Sequence, residues 1–120
     1  MKRALVISGG GSKGAFAVGV LQGLRNVFPT LHFDIIVGTS AGALITPLAA
    51  LEEISLLEQI FTTITTDKVV TQHRIGDRID QKSIFTVEPL YELLKKFFTD
   101  SRWTSINASG KGIYIITTNF

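Results

Sequence analysis

The chain has 120 residues, which is enough for one domain with a hydrophobic core. Hydrophobic residues make up 45% and charged residues 18% of it, which indicates a globular protein and excludes a disordered or fibrous one. The net charge of +2 does not come from Lys and Arg clustered on one element, so we expect no nucleic-acid partner. There is no cysteine, which excludes disulfides and thiolate chemistry.

The N-terminus carries no sign of a targeting segment. Lys2 and Arg3 are basic, but the apolar run that follows is too short for the core of a signal peptide. No apolar stretch approaches the ~20 residues of a transmembrane helix. A cytoplasmic protein is therefore the default expectation, with export by another route left open. No His, Asp and Glu residues have the spacing of metal ligands, and the oligomeric state is open.

The first predicted strand is the apolar run Ala4-Leu5-Val6-Ile7. A glycine-rich stretch follows it, Ser8-Gly9-Gly10-Gly11-Ser12-Lys13-Gly14, which we call the glycine loop. A helix is predicted next and ends before Pro29, which cannot continue it. The apolar side chains of this helix recur with a spacing that places them on one face: Phe16, Val20, Leu24 and Val27.

The glycine loop is compatible with nucleotide binding. Gly9, Gly11 and Gly14 match G-x-G-x-x-G, and Asp34 lies twenty residues after Gly14. The acid that binds the ribose should close the second strand, however, whereas Asp34 opens it, and this disfavours a dinucleotide site. A Walker A loop is excluded because Lys13 is followed by glycine rather than by Ser or Thr.

The glycine loop is also compatible with oxyanion binding. Gly9, Gly10 and Gly11 expose consecutive backbone N–H groups at the N-terminus of a helix, where they can donate to a negatively charged oxygen. The simplest alternative is a tight turn between a strand and a helix, without any chemistry.

A second strand, Ile35-Ile36-Val37, is predicted to run into Gly38-Thr39-Ser40-Ala41-Gly42, which fits G-x-S-x-G. Small apolar residues then predict a helix. In this strand–turn–helix context the motif predicts a nucleophilic serine in a strained turn, with glycines where a Cβ would collide. The alternative is a Gly-Ser turn in which Ser40 caps the helix.

The order of these elements predicts an α/β fold. Strand, glycine loop, helix, strand, serine turn and helix alternate, which is typical of a parallel sheet covered by helices. The glycine loop and the serine turn follow two successive parallel strands. They are therefore expected at the same edge of the sheet, where ligands bind in open α/β folds.

The later part of the chain gives weaker signals. Residues 51–65 predict a helix whose inward residues are Ile54, Leu57, Ile60 or Phe61, and Ile64. Residues 66–83 are polar and predict a surface loop, on which His73 is expected to be solvated. A helix is predicted after Phe85 with Pro89 in its first turn, and Trp103 is expected in a connecting segment. Residues 109–112 predict a turn and residues 113–117 a strand.

The glycine loop with Ala15, and the serine turn from Gly38 to Gly42, together resemble the N-terminal part of a patatin-like phospholipase domain. The resemblance implies a three-layer α/β/α fold with a mostly parallel central sheet, incomplete in this chain. It also implies hydrolysis of lipid esters by a Ser–Asp dyad, with no catalytic histidine and no cofactor. The implied partner is a lipid ester at a membrane or micelle surface.

The resemblance also implies roles for individual residues. Ser40 is the expected nucleophile, and the N–H groups of the loop and of Ala41 are expected to bind the oxyanion. Lys13 fills the basic position of the loop and is expected to brace it. The full set of site residues is Gly9, Gly10, Gly11, Lys13, Gly14, Gly38, Ser40, Ala41 and Gly42.

The aspartate of the expected dyad has no counterpart in the sequence. The family places it in an Asp-Gly motif downstream of the serine, and no Asp-Gly dipeptide occurs here. Without a general base, a serine hydroxyl attacks poorly at neutral pH. We therefore expect residues 1–120 to be the N-terminal part of one longer domain, inactive alone.

Three other functions stay open at this point. A Ser-His-Asp enzyme is disfavoured because the serine comes early and His73 is the only histidine after it. A nucleotide-binding module would use the G-x-G-x-x-G loop. A non-catalytic relative would keep the fold and bind lipid or a partner.

Overall fold

A computed structural model of the chain describes residues 1–63, 71–72, 85–86 and 88–118. The chain forms two compact units, of which the first comprises Met1–Thr63 and Thr104–Phe120 and the second Ile64–Trp103. None of the helices in the described ranges combines the length and the apolar composition that crossing a bilayer requires.

The first unit is built on a parallel sheet of three strands. These are β1 (Ala4–Ile7), β2 (Ile35–Thr39) and β5 (Gly112–Ile116), with β2 in the centre. Each strand is short, apolar and rich in β-branched residues, which suits a pleated, covered surface. The predicted α/β class and parallel sheet are confirmed, and the strand predicted at 113–117 is found one residue earlier.

Three helices of the first unit pack around the sheet and each other. They are α1 (Gly14–Val27), α2 (Ala41–Ala50) and α3 (Ile54–Thr63). Helix α2 lies against β2 and also reaches β1 and β5, while α1 packs on α2 and α3. The side chains with the least exposure come mainly from this contact: Ile36, Ile45, Thr46, Leu48 and Leu57. The core therefore lies between α2 and the sheet.

Helices lie on both sides of the sheet, as the three-layer prediction requires. The covering is incomplete, because Val6 of β1 is 73% exposed and Tyr114 and Ile116 of β5 are also exposed. The strand pairing places these three side chains on one face of the sheet, and Ile115, between the two β5 residues, is 46% exposed on the other face.

The two strands β1 and β2 are joined at their starts by the pair Arg3 and Asp34. The Asp34 carboxylate accepts a hydrogen bond from the backbone N–H of Arg3 at 2.7 Å, and the Asp34 N–H donates to the Arg3 carbonyl at 2.9 Å. The first of these bonds lowers the pKa of Asp34 below its ordinary value. Asp34 thus fixes the edge of the sheet opposite to the glycine loop.

Most of the apolar side chains that the spacing places on one face of α1 are exposed to solvent and do not pack in the core. Val18 and Leu21 are its buried side chains, whereas Phe16, Val20 and Val27 are exposed. Both sets have helical spacing, and the sequence does not show which one meets α3. The inward residues predicted for α3 are confirmed, because Ile54, Leu57 and Ile60 are all buried; Ile64 lies outside the described residues. The predicted start at residue 51 is wrong, since residues 51–53 form a turn with Glu52 at φ +60° and the helix begins at Ile54.

The second unit contains a short antiparallel pair, β3 (Thr71–Gln72) with β4 (Phe85–Thr86), and α4 (Glu88–Phe97). Pro89 lies in the first turn of α4, as predicted. Helix α5 (Asp100–Ala108) crosses from this unit into the first. The prediction that Trp103 lies in a connecting segment is wrong, since Trp103 is inside α5 and its ring centroid lies 5.8 Å from that of Phe98. His73 and most of the loop predicted at 66–83 lie outside the described residues.

Candidate functional site: a strained serine beside the glycine loop

Ser40 connects the end of β2 to the start of α2 in a strained conformation. Its backbone angles are φ 52° and ψ −126°, a region that L-residues other than glycine rarely adopt. Such a conformation costs of order 1–3 kcal/mol and persists only where the surrounding structure imposes it. The Ser40 side chain makes no capping hydrogen bond to α2. The alternative in which Ser40 serves as a helix cap therefore has no support.

Close backbone packing on both sides of Ser40 imposes this conformation. A Cβ on Gly42 would overlap the carbonyl oxygen of Ile7, so the first turn of α2 lies directly on the end of β1. A Cβ on Gly38 would overlap the carbonyl of Gly42 and the hydroxyl of Thr46. Both glycines of the G-x-S-x-G motif are thus required by contact, as predicted.

The glycine loop reaches the serine through Gly9. A Cβ on Gly9 would lie 2.6 Å from the Cβ of Ser40 and 3.3 Å from its Oγ. The missing side chain therefore lets the loop backbone approach the Ser40 hydroxyl. This proximity follows from the parallel pairing of β1 and β2, which brings both turns to one edge of the sheet.

The rest of the glycine loop turns into α1. Gly11 has φ +57°, which a glycine adopts without strain, and the Lys13 N–H donates to the Gly10 carbonyl at 3.1 Å. Gly14 is buried, since a Cβ there would lie 2.7 Å from the Phe61 ring and 3.3 Å from the Cβ of Ala41. The loop is thereby held against the first turn of α2.

Two residues behind the serine were not identified from the sequence. Thr46 is fully buried, touches Gly38 and donates from its hydroxyl to the Gly42 carbonyl at 2.9 Å. Pro47 lies inside α2 and has no N–H to donate to the Ala43 carbonyl. The sequence does contain a signal for Thr46. It lies four residues after Gly42, the second glycine of the motif, and a threonine hydroxyl in a helix can donate to the carbonyl one turn earlier.

Asp34, the acid considered for a dinucleotide site, lies at the end of the sheet away from the glycine loop. Asp34 lies before β2, at the opposite end of that strand from Ser40, and its carboxylate is bonded to the Arg3 N–H. The geometry therefore gives no support to a dinucleotide site. Within the described residues, no group of three or more His, Asp and Glu side chains is placed to hold a metal ion.

The fold and this site together define the class of the protein. It is an α/β protein with a strained serine at a strand-to-helix turn and a glycine loop beside it, both at the carboxyl edge of a parallel sheet.

The comparison with protein families gives the particular family. The family described as "Patatin-like phospholipase" matches residues 5–113, which is most of the chain. The protein belongs to the patatin-like phospholipase family, and its broad function is that of a lipid hydrolase. Neither the curated proteins nor the solved structures gave a match.

Proposed function

We propose that the protein is a serine-dependent lipid acyl hydrolase in which Ser40 attacks the carbonyl carbon of a carboxylic ester. The observation that carries this proposal is the strained Ser40, whose hydroxyl caps no helix and lies against Gly9. Strain of this kind occurs at functional sites, where it holds a group in position for a reaction. The family membership supports a lipid ester as the substrate.

The oxygen that becomes negatively charged in the tetrahedral intermediate is proposed to be bound by backbone N–H groups. Those of Gly9, Gly10, Gly11 and Ala41 are the candidates, because the glycine loop approaches Ser40 and Ala41 begins α2. One donor of this type contributes about 2.7–4 kcal/mol of transition-state stabilisation. Lys13 is proposed to brace the loop, since its N–H closes a turn on Gly10.

The Ser40 hydroxyl must give up its proton during the attack. We propose that an aspartate, the second member of a Ser–Asp dyad, accepts this proton. Asp34 cannot fill this role because it lies at the opposite end of β2. The aspartate takes the Ser40 proton during attack and returns it to the leaving alcohol. Water then releases the acyl chain from the serine ester, and the enzyme is regenerated. A phospholipase A hydrolyses the carboxylic esters of a phospholipid, so an activity of that type fits the attack by Ser40. This chemistry requires no cofactor.

Hydrolysis of a water-soluble short-chain ester tests the proposal. Protein isolated from its source cells should turn over the ester, and a Ser40→Ala variant made in the same cells should lose at least about 10³-fold of that activity. Retention of activity in Ser40→Ala would rule out the nucleophile. The prediction that residues 1–120 are inactive alone is tested by the same assay on the purified chain. Turnover there that depends on Ser40 would contradict the proposed dyad.

A further inference from the structure

Thr46 is the one buried polar side chain in the part of the chain that the structure describes, and none of its surface is exposed. Its hydroxyl donates to the Gly42 carbonyl at 2.9 Å. The hydroxyl oxygen also lies against Gly38, where a Cβ would overlap it. Gly38 and Gly42 are the two glycines that flank Ser40 in the motif. One buried hydroxyl therefore contacts the chain on both sides of the serine.

Filling the core does not by itself require a threonine at this position. Ile45 and Leu48 of the same helix are buried to the same extent and are apolar. Valine has nearly the shape of threonine and carries no hydroxyl, which is unfavourable to bury unless it is hydrogen-bonded. A threonine hydroxyl in a helix often bonds to the carbonyl one turn earlier. Here that carbonyl belongs to the first turn after the serine and itself lies against Gly38.

The strain at Ser40 depends on contacts of this kind. A φ of 52° persists only if the surrounding structure holds the chain on both sides of the residue. The Ile7 carbonyl packs against Gly42 from the side of β1. Thr46 acts from the side of α2, because its bond to the Gly42 carbonyl breaks if that carbonyl moves away from the end of β2. The hydroxyl therefore resists opening of the serine turn.

Helix α2 has a weak point directly after Thr46. Pro47 has no N–H, so it cannot donate to the Ala43 carbonyl as other residues in a helix would. Ala43 is part of the serine turn, since its N–H donates to the Ser40 carbonyl at 2.9 Å. The first turn of α2 thus has one main-chain hydrogen bond fewer, and the Thr46 hydroxyl supplies a side-chain bond at the preceding carbonyl.

We propose that Thr46 is a positioning residue for the reaction at Ser40, in which its hydroxyl holds Gly38 and Gly42 together and so fixes the serine turn. The proposal rests on the proposed function for the nature of the reaction. Thr46 is fully buried, so it acts through the turn and not on the substrate. The turn places the Ser40 hydroxyl and the N–H of Ala41, the next residue. Loss of the Thr46 hydroxyl should therefore slow the reaction without weakening the binding of the ester.

Three substitutions separate the hydrogen bond from the packing. Thr46→Val keeps the shape and removes the hydroxyl, Thr46→Ala removes it without placing a methyl group against Gly38, and Thr46→Ser keeps it. Each variant is isolated from the source cells, and kcat and KM are measured for a water-soluble short-chain ester. We expect kcat to fall about tenfold or more in the valine and alanine variants, with KM unchanged, because small displacements at a reacting group slow the reaction strongly. The serine variant should stay within about threefold of the parent.

Ile45→Val is the matched control for a general loss of stability. Ile45 precedes Thr46 in α2 and is as deeply buried. Loss of one of its methyl groups should lower the midpoint of urea denaturation and leave kcat at the value of the parent. An equal fall of kcat in Ile45→Val and Thr46→Val would overturn the proposal. Parent-like kcat in Thr46→Ala, or equal losses in the serine and valine variants, would overturn it as well, because the hydrogen bond would then not matter.

Hydrogen exchange provides a readout that does not need turnover. Amide exchange in the peptide that covers residues 40–43 should rise in Thr46→Val and Thr46→Ala, and stay at the level of the parent in Thr46→Ser and Ile45→Val. Unchanged exchange in the first two would overturn the proposal even if kcat fell, since the turn would not depend on the hydroxyl.

The two measurements together distinguish the positioning role from the proposed chemistry. If the ester is hydrolysed through Ser40 while all Thr46 variants match the parent, only the positioning role is wrong. If Ser40→Ala keeps the activity, or the parent hydrolyses no ester, while exchange still follows the Thr46 hydroxyl, the proposed chemistry is wrong and the hydroxyl still holds the turn.

Discussion

At the scale of single residues, Ser40 packs directly against Gly9 although the two residues are far apart in sequence. The strained turn at Ser40 places its side chain against Gly9, and the loop can approach only because Gly9 has no Cβ. The two residues come from turns after neighbouring parallel strands, so the sheet sets their distance. A change at Gly9 therefore acts on Ser40 directly.

Gly9→Ala should reduce the reactivity of Ser40 by about 10²-fold, because a displacement near 1 Å at a reacting group has effects of that size. The new methyl would lie 2.6 Å from the Ser40 Cβ and force one of the two apart. The measurement is the rate of ester hydrolysis by the enzyme isolated from its source cells.

Gly23→Ala is the control for this change. Gly23 lies in α1 with nothing within 4 Å of an added Cβ, so alanine there should leave the reaction rate unchanged. It should also raise the free energy of unfolding by roughly 0.5–1 kcal/mol, because alanine favours the helix. Equal rates in Gly9→Ala and the parent enzyme would contradict the contact between the loop and Ser40.

At the scale of elements, helix α2 is held at both ends by residues from elsewhere. Its first turn lies on the Ile7 carbonyl, and at its C-terminus Lys111 donates from Nζ to the Ala50 carbonyl at 2.8 Å and to Glu52 at 3.1 Å. A cation at the end of a helix complements the dipole and satisfies a carbonyl without an intrahelical partner. Glu52, with φ +60°, makes the tight turn into α3.

Lys111→Met should lower the free energy of unfolding by about 1–2 kcal/mol, through loss of the hydrogen bond to Ala50 and the favourable charge at the end of α2. The Lys111 side chain is only 18% exposed, so water replaces these bonds incompletely. Urea denaturation measures the effect, with Lys95→Met as a control on an exposed pair. A larger loss in the control than in Lys111→Met would contradict the role of Lys111.

The bond between Asp34 and Arg3, at the starts of β2 and β1, favours the ionised form of Asp34. The hydrogen bond from the Arg3 N–H lowers the pKa of this carboxyl in the folded state. A carboxyl with a lowered folded pKa stabilises the fold above its unfolded pKa of about 4 and loses that contribution as pH falls through the folded pKa. Stability should therefore decline in acid partly through this one residue.

Asp34→Asn tests this pH dependence. The parent should be more stable than the variant at pH 7, and the difference should shrink as pH falls from about 4, the unfolded pKa, through the lower pKa of Asp34 in the folded state. Urea denaturation across this range gives the difference directly. A difference that stays constant down to the acid limit would mean that the Asp34 charge does not contribute.

The elements show what the sequence could and could not predict. Strands β1, β2 and β5 and the parallel order follow from continuous apolar runs and from the alternation with helices. Helix α5 was missed because its residues have no apolar periodicity, and only Ile106 is buried. The inward face of α1 was not predictable, because both of its faces carry apolar side chains at helical spacing.

For the candidate site, the sequence predicted the motif glycines but not the threonine that packs behind the serine. The motif glycines could be assigned because a glycine is required where backbones touch, and Gly9, Gly38 and Gly42 all lie at such contacts. Thr46 could not be assigned with the same ease, because its contact with Gly38 depends on how α2 packs on β2. Packing between elements is a tertiary property that local sequence does not specify.

At the scale of the whole molecule, the candidate site lies at one edge of the sheet. The carboxyl edge carries both Ser40 and the glycine loop, because β1 and β2 are parallel and both turns follow the ends of their strands. Asp34 and Arg3 join the same two strands at the opposite edge. The chemistry proposed for Ser40 is therefore separated from the bonds that fix the strand starts, and each is tested by its own variants.

The most direct test of the central claim is to label the protein in an extract of its source cells with a fluorophosphonate and to map the modified peptide by mass spectrometry. Such a reagent reacts with serine hydroxyls activated for nucleophilic attack. The account predicts modification at Ser40, blocked by prior treatment with a lipid ester analogue. Modification at another residue, or none in an extract that demonstrably contains the protein, would contradict it.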